Sequence, residues 1–476
     1  MRLDLAAVGD SDVFDFCVVG SGPAGITCAW QLAKGGKRVI LLEAGGRDPS
    51  EASQNIYEGK IVGDLRIPLT ESRLRYFGGT SNHWAGQCRP LDAADFAGQI
   101  ASADTAWPIA RADLDPYLEP ASAILEIPPV PPDTPIRQSG LKRIHFVYSP
   151  PVRFATKYGA GILAHQSLFL VLDANLSHFE TNGAAIQGAV VRNYEGLART
   201  VRAGAYVLAA GGIENSRLLL WSNVQTHGQT VPNPLALGRY WMPHPTFPAG
   251  DAILVSSLLV PFERGLAFAP TAATMRDDRI LNIGIGVTRH HYGAARWLVA
   301  EMACVAPRYG QWALEQLNRN VVCATALRAA WEAEPRFVSR IELGQERDSF
   351  GMPRAVLFWQ RSALDHRTIQ ATARRFAGFL ADTDNGRARL APFALGEGDY
   401  PAEEDWGAGT HHMGGTRMAA MPDKGIVDGD CKVFGQANLF IAGSSVFPSS
   451  GHTNPTLTIV QLALRLADHL LKGARS

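Results

Sequence analysis

Residues 14–45 read FDFCVVGSGPAGITCAWQLAKGGKRVILLEAG, and this stretch decides the fold. Phe14 to Gly20 is a short apolar run typical of a buried strand, and residues 26–37 have the apolar spacing of a helix. A second buried run, Arg38 to Gly45, follows directly. The order strand, helix, strand predicts a βαβ unit and therefore an α/β fold.

The glycines between the first strand and the helix have the spacing of a dinucleotide site. Gly20 suits the tight turn, Gly22 lets a pyrophosphate approach the backbone, and Gly25 allows close helix packing. Glu43, at the end of the second strand, can accept hydrogen bonds from ribose hydroxyls. The glycines alone fit an ordinary strand-to-helix turn. With strand, helix and acid in register they favour nucleotide binding, without separating FAD from NAD.

Length and composition limit the function classes. A chain of 476 residues is long enough for two or three domains. Lys plus Arg and Asp plus Glu both number 45, so the balance of charge attracts neither nucleic acid nor an anionic membrane and favours a neutral small substrate. The 47 glycines and 29 prolines are spread along the chain, which indicates many tight turns in an ordered α/β or α+β protein.

The cysteines and the N-terminus concern the cellular compartment. The six cysteines have no spacing typical of a metal site or a disulfide scaffold, so we expect free thiols. The opening MRLDLAAVGDSD lacks the apolar run of a signal peptide, and no stretch of eighteen apolar residues follows that could span a bilayer. We therefore expect a cytoplasmic protein without a membrane span.

A second glycine cluster, RYFGGTSNHWAGQCRP at residues 75–90, combines freedom of the backbone with amide, imidazole and indole groups. Alone it fits an irregular loop with a structural histidine. Further motifs follow in order: WPIARADLDPYL (107–118), AAGGIENSRLLL (209–220), LGRYWMPHP (237–245), ERDSFGMPRAVLFW (346–359), GTHHMGGTRM (409–418) and FIAGSSVFPSSGHTNPTLT (440–458). In this set the chain resembles the glucose/methanol/choline (GMC) family of flavin oxidoreductases, nearest to its bacterial sugar-dehydrogenase and pyranose-oxidase branch.

The resemblance implies a discontinuous architecture. A Rossmann-like FAD-binding domain would comprise residues 12–100, 155–235 and 405–476, and a sheet-based substrate-binding domain residues 101–154 and 236–404. Two later runs, 203–212 and 438–443, read as buried strands that can return to the first sheet. Residues 294–331 are apolar and helix-like without a recognisable motif; we favour an extra packed helical pair there over part of a substrate lid.

The resemblance also implies the residues that hold FAD. Residues of the βαβ unit would bind the pyrophosphate and ribose, Leu176 would contact the adenine, and the later residues would surround the flavin ring. The set is Gly20, Ser21, Gly22, Gly25, Glu43, Ala44, Gly78, Gly79, Thr80, Ser81, Asn82, His83, Trp84, Leu176, Ala210, Gly211, Gly443, Ser444, Asn454, Pro455 and Thr456. A covalent bond between His83 and the flavin stays open.

Three histidines compete for the role of base. By resemblance a CH–OH group loses a hydride to flavin N5 and a proton to a neutral histidine, while an amide or second imidazole holds the same oxygen. His411 matches the position of the family's base, with His412 as the alternative and Asn454 as the partner. Asn454 and Pro455 also suit the N-cap and first position of a helix. His452 stands where a small residue is expected; substrate contact, second base and loop packing are equal alternatives.

The substrate predicted is a sugar, glycoside or related polyol. A non-sugar alcohol oxidase and a redox-silent lyase of the hydroxynitrile-lyase type are alternatives on the same fold, and a flavin-bound binding module fits poorly because the histidine and its amide partner are both present. Oxygen, a quinone and a redox partner stay open as electron acceptors. The sequence does not identify the alcohol or the oligomeric state.

Overall fold

The computed structural model describes residues 1–9, 11–65, 67–98, 106–254, 266–289, 309, 312, 325–400 and 411–473. The strands are β1 (Arg2–Leu3), β2 (Val13–Val19), β3 (Val39–Leu42), β4 (Gly59–Gly63), β5 (Gln87–Cys88), β6 (Thr134–Pro135), β7 (Leu141–Ile144), β8 (Val147–Tyr148), β9 (Leu168–Val171), β10 (Asn175–Thr181), β11 (Ile186–Arg192), β12 (Ala198–Leu208), β13 (Thr246–Leu254), β14 (Leu266–Pro270), β15 (Ile283–Arg289), β16 (Thr325–Trp331), β17 (Arg340–Arg347), β18 (Pro353–Trp359), β19 (Gly386–Leu390) and β20 (Leu439–Ile441). The helices are α1 (Pro23–Lys34), α2 (Glu51–Asn55), α3 (Ala93–Ala97), α4 (Leu118–Leu125), α5 (Phe154–Ala164), α6 (Glu214–Gln225), α7 (Ala272–Asp278), α8 (Ala363–Asp382), α9 (Pro392–Leu395) and α10 (Thr456–Gly473).

An eight-stranded sheet carries the predicted nucleotide motif. Its order is β1-β9-β3-β2-β12-β11-β10, and β20 also pairs with β12. Five neighbouring strands of this order, β1, β9, β3, β2 and β12, pair in parallel, and β20 pairs in parallel with β12. β11 and β10 extend the sheet beyond β12 as an antiparallel edge. Because parallel strands are covered on both faces, β2 and β3 read as almost continuous apolar runs. The α/β fold class predicted from the sequence is confirmed.

The β2-α1-β3 unit forms as the glycine spacing predicts. Helix α1 begins three residues earlier than its apolar pattern suggested, because Pro23 has the backbone angle that suits a first helical position. Gly20 has φ +103°, and a Cβ there would lie 2.5 Å from the Ala209 carbonyl oxygen. A Cβ on Gly25 would lie 1.8 Å from the Gly20 carbonyl oxygen, so α1 can start this close to β2 only with glycine.

Segments far apart in the chain complete this side of the molecule. β12 pairs with β2 and β20 with β12, so both later runs do return to the first sheet. β1, which precedes residue 12, joins the same sheet through β9. β4 lies within the predicted FAD-binding segment yet pairs with β18, in a three-stranded sheet of order β17-β18-β4.

A seven-stranded antiparallel sheet, in the order β19-β13-β16-β15-β14-β7-β6, forms the second layer. Helix α8 packs on it, with Phe376 among the aromatic rings of Phe247, Phe268 and Trp331 in one buried cluster. A capping box starts α8: the Ser362 Oγ accepts from the Asp365 N–H and the Asp365 carboxylate accepts from the Ser362 N–H.

The helical prediction for residues 294–331 is wrong for residues 325–331. Thr325–Trp331 forms β16, between β13 and β15, because Leu327, Ala329 and Trp331 alternate onto one buried face. Apart from residues 309 and 312, the remainder from 294 to 324 lies outside the described residues.

The cysteines and the helices that the structure describes match two further expectations. Cys17, Cys28, Cys88 and Cys431 are free and buried, as expected. Cys304 and Cys323 lie outside the described residues. Within the described ranges, every helix is too short or too polar to cross a lipid bilayer.

Candidate functional site

A cavity of about 470 Å³ runs along the carboxyl ends of the parallel strands, where ligands of open α/β sheets bind. Most of the predicted FAD-site residues line it. Those are Gly20, Ser21, Gly22, Glu43, Ala44, Gly79, Thr80, Ser81, His83, Trp84, Leu176, Ala210, Gly211, Gly443, Ser444, Asn454, Pro455 and Thr456. His411 and His412 line it as well, whereas Gly25, Gly78, Asn82 and His452 are not among its lining residues.

At the nucleotide end, Glu43 is buried and fixed by backbone hydrogen bonds. Its Oε2 accepts from the Ser21 N–H at 3.0 Å and its Oε1 from the Gly45 N–H at 2.9 Å. Oε2 also accepts from the Ser21 hydroxyl at 2.5 Å, whereas Oε1 keeps acceptor capacity and can still accept a hydrogen bond from a ligand hydroxyl. This arrangement fits the ribose-binding role that the spacing predicted.

Three lining glycines leave room that a side chain would fill. A Cβ on Gly22, Gly211 or Gly443 would meet no protein atom within 4 Å. Gly211 and Gly443 also have positive φ angles of +97° and +112°, which disfavour any other residue. The cradle these glycines form is what a long, phosphate-containing cofactor such as FAD needs.

The loop of residues 75–90 contributes both lining and supporting groups. Ser81 Oγ donates to the Gly78 carbonyl at 2.7 Å, and Asn82 Nδ2 donates to the Phe77 carbonyl at 2.9 Å. Asn82 therefore holds the turn. His83 lies at the cavity, where burial lowers the pKa of its imidazole, with a smaller contribution from the Arg153 charge.

At the other end of the cavity His411 contacts a histidine of the loop before β13. The Nδ1 atoms of His411 and His244 are 3.2 Å apart, and His244 Nε2 lies 2.6 Å from the Gly451 carbonyl oxygen. Burial lowers the pKa of His411 well below its usual value, and the neighbouring His244 and His412 lower it further. Burial also lowers the pKa of His244 to about 4. Both imidazoles are neutral near pH 7.

His412 points to a different set of partners. Its Nε2 lies 2.9 Å from Ser72 Oγ, and its ring centroid is 5.7 Å from that of Trp241. Nδ1 is buried without a partner among the described residues. Burial and the charge of Arg73 lower the pKa of His412 to about 3. The Nε2 atom of His412 is therefore occupied by Ser72, whereas His411 makes its contact through Nδ1.

Asn454 lines the cavity just before α10, and its side chain has no hydrogen-bond partner among the described residues. The predicted cap is shifted by one residue. The Pro455 carbonyl accepts the first helical hydrogen bond, from Ile459 N–H at 2.9 Å, so Pro455 rather than Asn454 occupies the N-cap position and Thr456 begins the helix. The Asn454 amide is thereby available to a ligand.

His452 is 2% exposed and is packed away from the cavity lining. Its ring lies 6.3 Å, centroid to centroid, from that of Phe146 in an edge-to-face arrangement, and its Cδ2 would be 2.8 Å from a Cβ on Gly284. Within the described ranges neither ring nitrogen has a partner. Burial lowers its pKa to about 3, so the ring is neutral.

Sequence reasoning missed several groups at the site. His244 lies in LGRYWMPHP, which served only to support the family resemblance; a histidine between two prolines was the signal available. A buried charge network also lines the cavity. Arg73 pairs with Glu214 at 3.3 Å, Glu214 with Arg217 at 2.7 Å, and Arg217 with Asp348. Glu214 and Arg217 have the i, i+3 spacing of neighbours on one helix, but no spacing rule links this pair to Arg73 or Asp348.

Two family models match the chain. A GMC oxidoreductase model matches residues 335–463, and an FAD dependent oxidoreductase model matches residues 15–96. The second match contains the βαβ unit and the loop of residues 75–90, and the first contains His411, His412 and Asn454. Both matches therefore contain residues that line the cavity.

Relatives of known activity match over different lengths. C-glycoside 3-oxidase from Microbacterium trichothecenolyticum is 34% identical over 128 residues, which are 26% of this chain and only 22% of that enzyme. 2-Methyl-1,2-propanediol dehydrogenase from Mycolicibacterium austroafricanum is 24% identical over 97% of this chain and 95% of that enzyme.

A solved structure shows the same fold at low identity. A fungal aryl-alcohol oxidase superposes with a TM-score of 0.62 at 14% identity, covering 98% of this chain and all of the other. The family models and the superposition agree with the fold described above. The chain thus contains a GMC oxidoreductase region in its C-terminal part and an FAD dependent oxidoreductase region in its N-terminal part, and it takes FAD as its cofactor.

Proposed function

We propose that the protein oxidises a CH–OH group of a sugar, glycoside or related polyol to a carbonyl, with His411 as the base. One observation carries the proposal: a neutral, protein-held imidazole and an unpartnered amide line the same cavity. The C-glycoside oxidase among the relatives supports the substrate class. FAD, when bound, supplies the hydride acceptor.

His411 is suited to take the hydroxyl proton. Its Nδ1 is engaged with His244, and its Nε2 has no partner among the described residues. Because burial keeps the pKa of His411 well below its usual value, the ring has a free lone pair at neutral pH. General bases of this kind contribute about 10²- to 10⁴-fold to the rate.

Asn454 is suited to hold the substrate oxygen. Its amide N–H can donate to an oxygen that gains negative charge as its proton leaves. The start of α10 borders the same cavity, since Pro455 and Thr456 line it. The positive end of the helix dipole favours negative charge there. Base, donor and helix end thus face one cavity.

A non-sugar alcohol is the second candidate. The diol dehydrogenase from Mycolicibacterium matches almost the whole chain, whereas the C-glycoside oxidase matches about a quarter of it. The proposed residues deprotonate a hydroxyl on either substrate. The substrate class therefore depends on the surroundings of the reacting carbon and not on His411 or Asn454.

The test is an anaerobic screen of the FAD-loaded protein with sugars, glycosides and simple diols, following loss of flavin absorbance and formation of a carbonyl. Repeating positive reactions with oxygen and with a quinone identifies the electron acceptor. We expect bleaching by at least one sugar or glycoside. Bleaching by diols alone would favour the second candidate. No bleaching by any alcohol would contradict alcohol oxidation and favour a redox-silent lyase.

A further inference from the structure

His244 lies directly behind His411 and is 2% exposed. It belongs to the loop between α6 and β13, while His411 comes from the C-terminal part of the chain. Its two ring nitrogens face two different partners: Nδ1 faces Nδ1 of His411 at 3.2 Å, and Nε2 faces the Gly451 carbonyl oxygen at 2.6 Å. The imidazole of His244 thus bridges the proposed base and the backbone.

The Gly451 carbonyl determines where the hydrogens of this bridge lie. A carbonyl oxygen only accepts hydrogen bonds, so His244 Nε2 carries a hydrogen and donates it. A neutral imidazole has a single N–H, and therefore Nδ1 of His244 is an acceptor. The hydrogen between the two Nδ1 atoms must then belong to His411. Neutral His411 has its hydrogen on Nδ1 and its lone pair on Nε2.

From this geometry we infer that His244 is a positioning residue that holds His411 as the Nδ1–H tautomer, leaving Nε2 as the basic atom at the cavity. The consequence for catalysis rests on the proposed function, in which His411 takes the hydroxyl proton. The tautomer itself is a property of the protein. In imidazole side chains the partner of one nitrogen decides which nitrogen carries the hydrogen.

The acceptor behind His411 is a neutral ring and not a carboxylate. A carboxylate in that position would stabilise the protonated imidazole by its charge, as in serine-protease triads. The neutral His244 orients His411 without that charge. The direction agrees with the pKa of His411, which burial and the neighbouring histidines lower. In a triad one carboxylate both orients the histidine and stabilises its positive charge, whereas His244 only orients His411.

Gly451 connects this bridge to the proposed donor. Its carbonyl receives the His244 hydrogen bond, and Asn454 follows three residues later in the same loop. Gly451 has φ +54°, and a Cβ there would lie 2.6 Å from Leu91 Cδ2 and 2.7 Å from Asp95 Oδ2. The loop is therefore closely packed at the point that holds His244. The loop that contacts His244 therefore also carries Asn454.

Two substitutions separate positioning from packing. In His244→Gln, the side-chain Nε2 can donate to the Gly451 carbonyl while Oε1 accepts from His411, so the tautomer is kept. His244→Leu fills similar space with no polar atom. We expect His244→Gln to stay within about threefold of the wild-type rate of flavin reduction, whereas His244→Leu loses about tenfold to a hundredfold, the usual cost of removing a partner that orients a metal-bound histidine.

The direct readout is ¹⁵N NMR of protein labelled at histidine ring nitrogens and loaded with FAD, with His411→Ala identifying the His411 signals. The wild type and His244→Gln should have Nδ1 protonated and Nε2 unprotonated, and His244→Leu should lose this pattern. Protonated Nε2 in the wild type, or a His244→Leu variant that keeps both tautomer and rate, would overturn the inference. If His244→Leu does not fold, the wild-type and His244→Gln tautomers decide. The NMR result needs no substrate, so a predicted tautomer with no alcohol oxidation refutes only the proposed function.

Discussion

The two ends of the cavity are built differently. At the nucleotide end, one continuous stretch from β2 to Glu43 supplies the turn, the glycines and the acid, and Glu43 is held by backbone N–H groups. At the other end, His244, His411 and Asn454 come from separate loops, and Asn454 has no partner among the described residues. The carboxylate of Glu43 is fixed by backbone hydrogen bonds, whereas His411 and Asn454 each keep a hydrogen-bonding atom available to a ligand.

The largest effect should follow from changing the glycines of the nucleotide end. Gly22→Val should lose FAD while the protein stays folded, because its Cβ meets no protein atom within 4 Å but enters the cradle. Gly25→Val is the matched control and should lose the fold, since its Cβ would lie 1.8 Å from a carbonyl oxygen. Flavin content and thermal melting distinguish the two. A Gly22→Val protein with full flavin would refute the cradle.

At the reactive end, His411→Ala should slow flavin reduction by an alcohol by about 10²- to 10⁴-fold while retaining FAD, because only the proton acceptor is lost. His412→Ala is the matched control. Its Nε2 already faces Ser72, so we expect a smaller loss of rate. Stopped-flow absorbance measures both. Normal reduction in His411→Ala with an inactive His412→Ala would move the base to the neighbouring residue.

Asn454→Ala should cost about 10²- to 10³-fold in the reductive step, the usual loss for one donor to a developing oxyanion. Stability should change little, since Pro455 and not Asn454 occupies the N-cap of α10. An N-cap role would cost about 1 kcal/mol. Rate and melting temperature are therefore measured together. A lower melting temperature with an unchanged rate would assign Asn454 to the helix.

His452 should affect acid stability more than catalysis. Its folded-state pKa is about 3, below the unfolded value of about 6.5, so unfolding takes up a proton between these pH values. Its contribution to stability is therefore present above pH 6.5 and is lost as pH falls towards 3, at about 1.4 kcal/mol per pH unit. His452→Leu should lose less stability on acidification, as measured by urea unfolding.

The control for His452→Leu is flavin reduction at neutral pH, which we expect to be unchanged because His452 is packed outside the cavity lining. A large increase in KM for the alcohol would instead make this histidine a substrate contact. An unchanged dependence of stability on pH would show that the ring titrates normally in the folded protein.

The smallest expected effect concerns a covalent bond between His83 and the flavin. His83 lines the cavity beside Trp84, but the loop holds its shape through Ser81 and Asn82 without such a bond. We expect acid precipitation to release a yellow supernatant. A yellow pellet that turns colourless in His83→Ala would establish a covalent link.

The sequence predicted the nucleotide end well because its information is local. Turn, helix start and acid lie within one βαβ unit, where glycine spacing follows directly from backbone geometry. The His411–His244 contact joins residues 167 positions apart, so no periodicity or motif reveals it. The helix predicted near residues 325–331 is wrong because alternating burial within a sheet, set by the β13 and β15 neighbours, overrides local apolar content.

The most direct test of the central claim is one anaerobic reaction, in which FAD-loaded protein is mixed with each alcohol of the panel and flavin absorbance and carbonyl product are measured together. The account predicts that wild-type protein is bleached by a sugar or glycoside with one carbonyl formed per flavin, and that His411→Ala is bleached by the same compound at least about a hundredfold more slowly. Equal bleaching rates in the two proteins would contradict the assigned base, and a flavin that no alcohol bleaches would contradict the reaction.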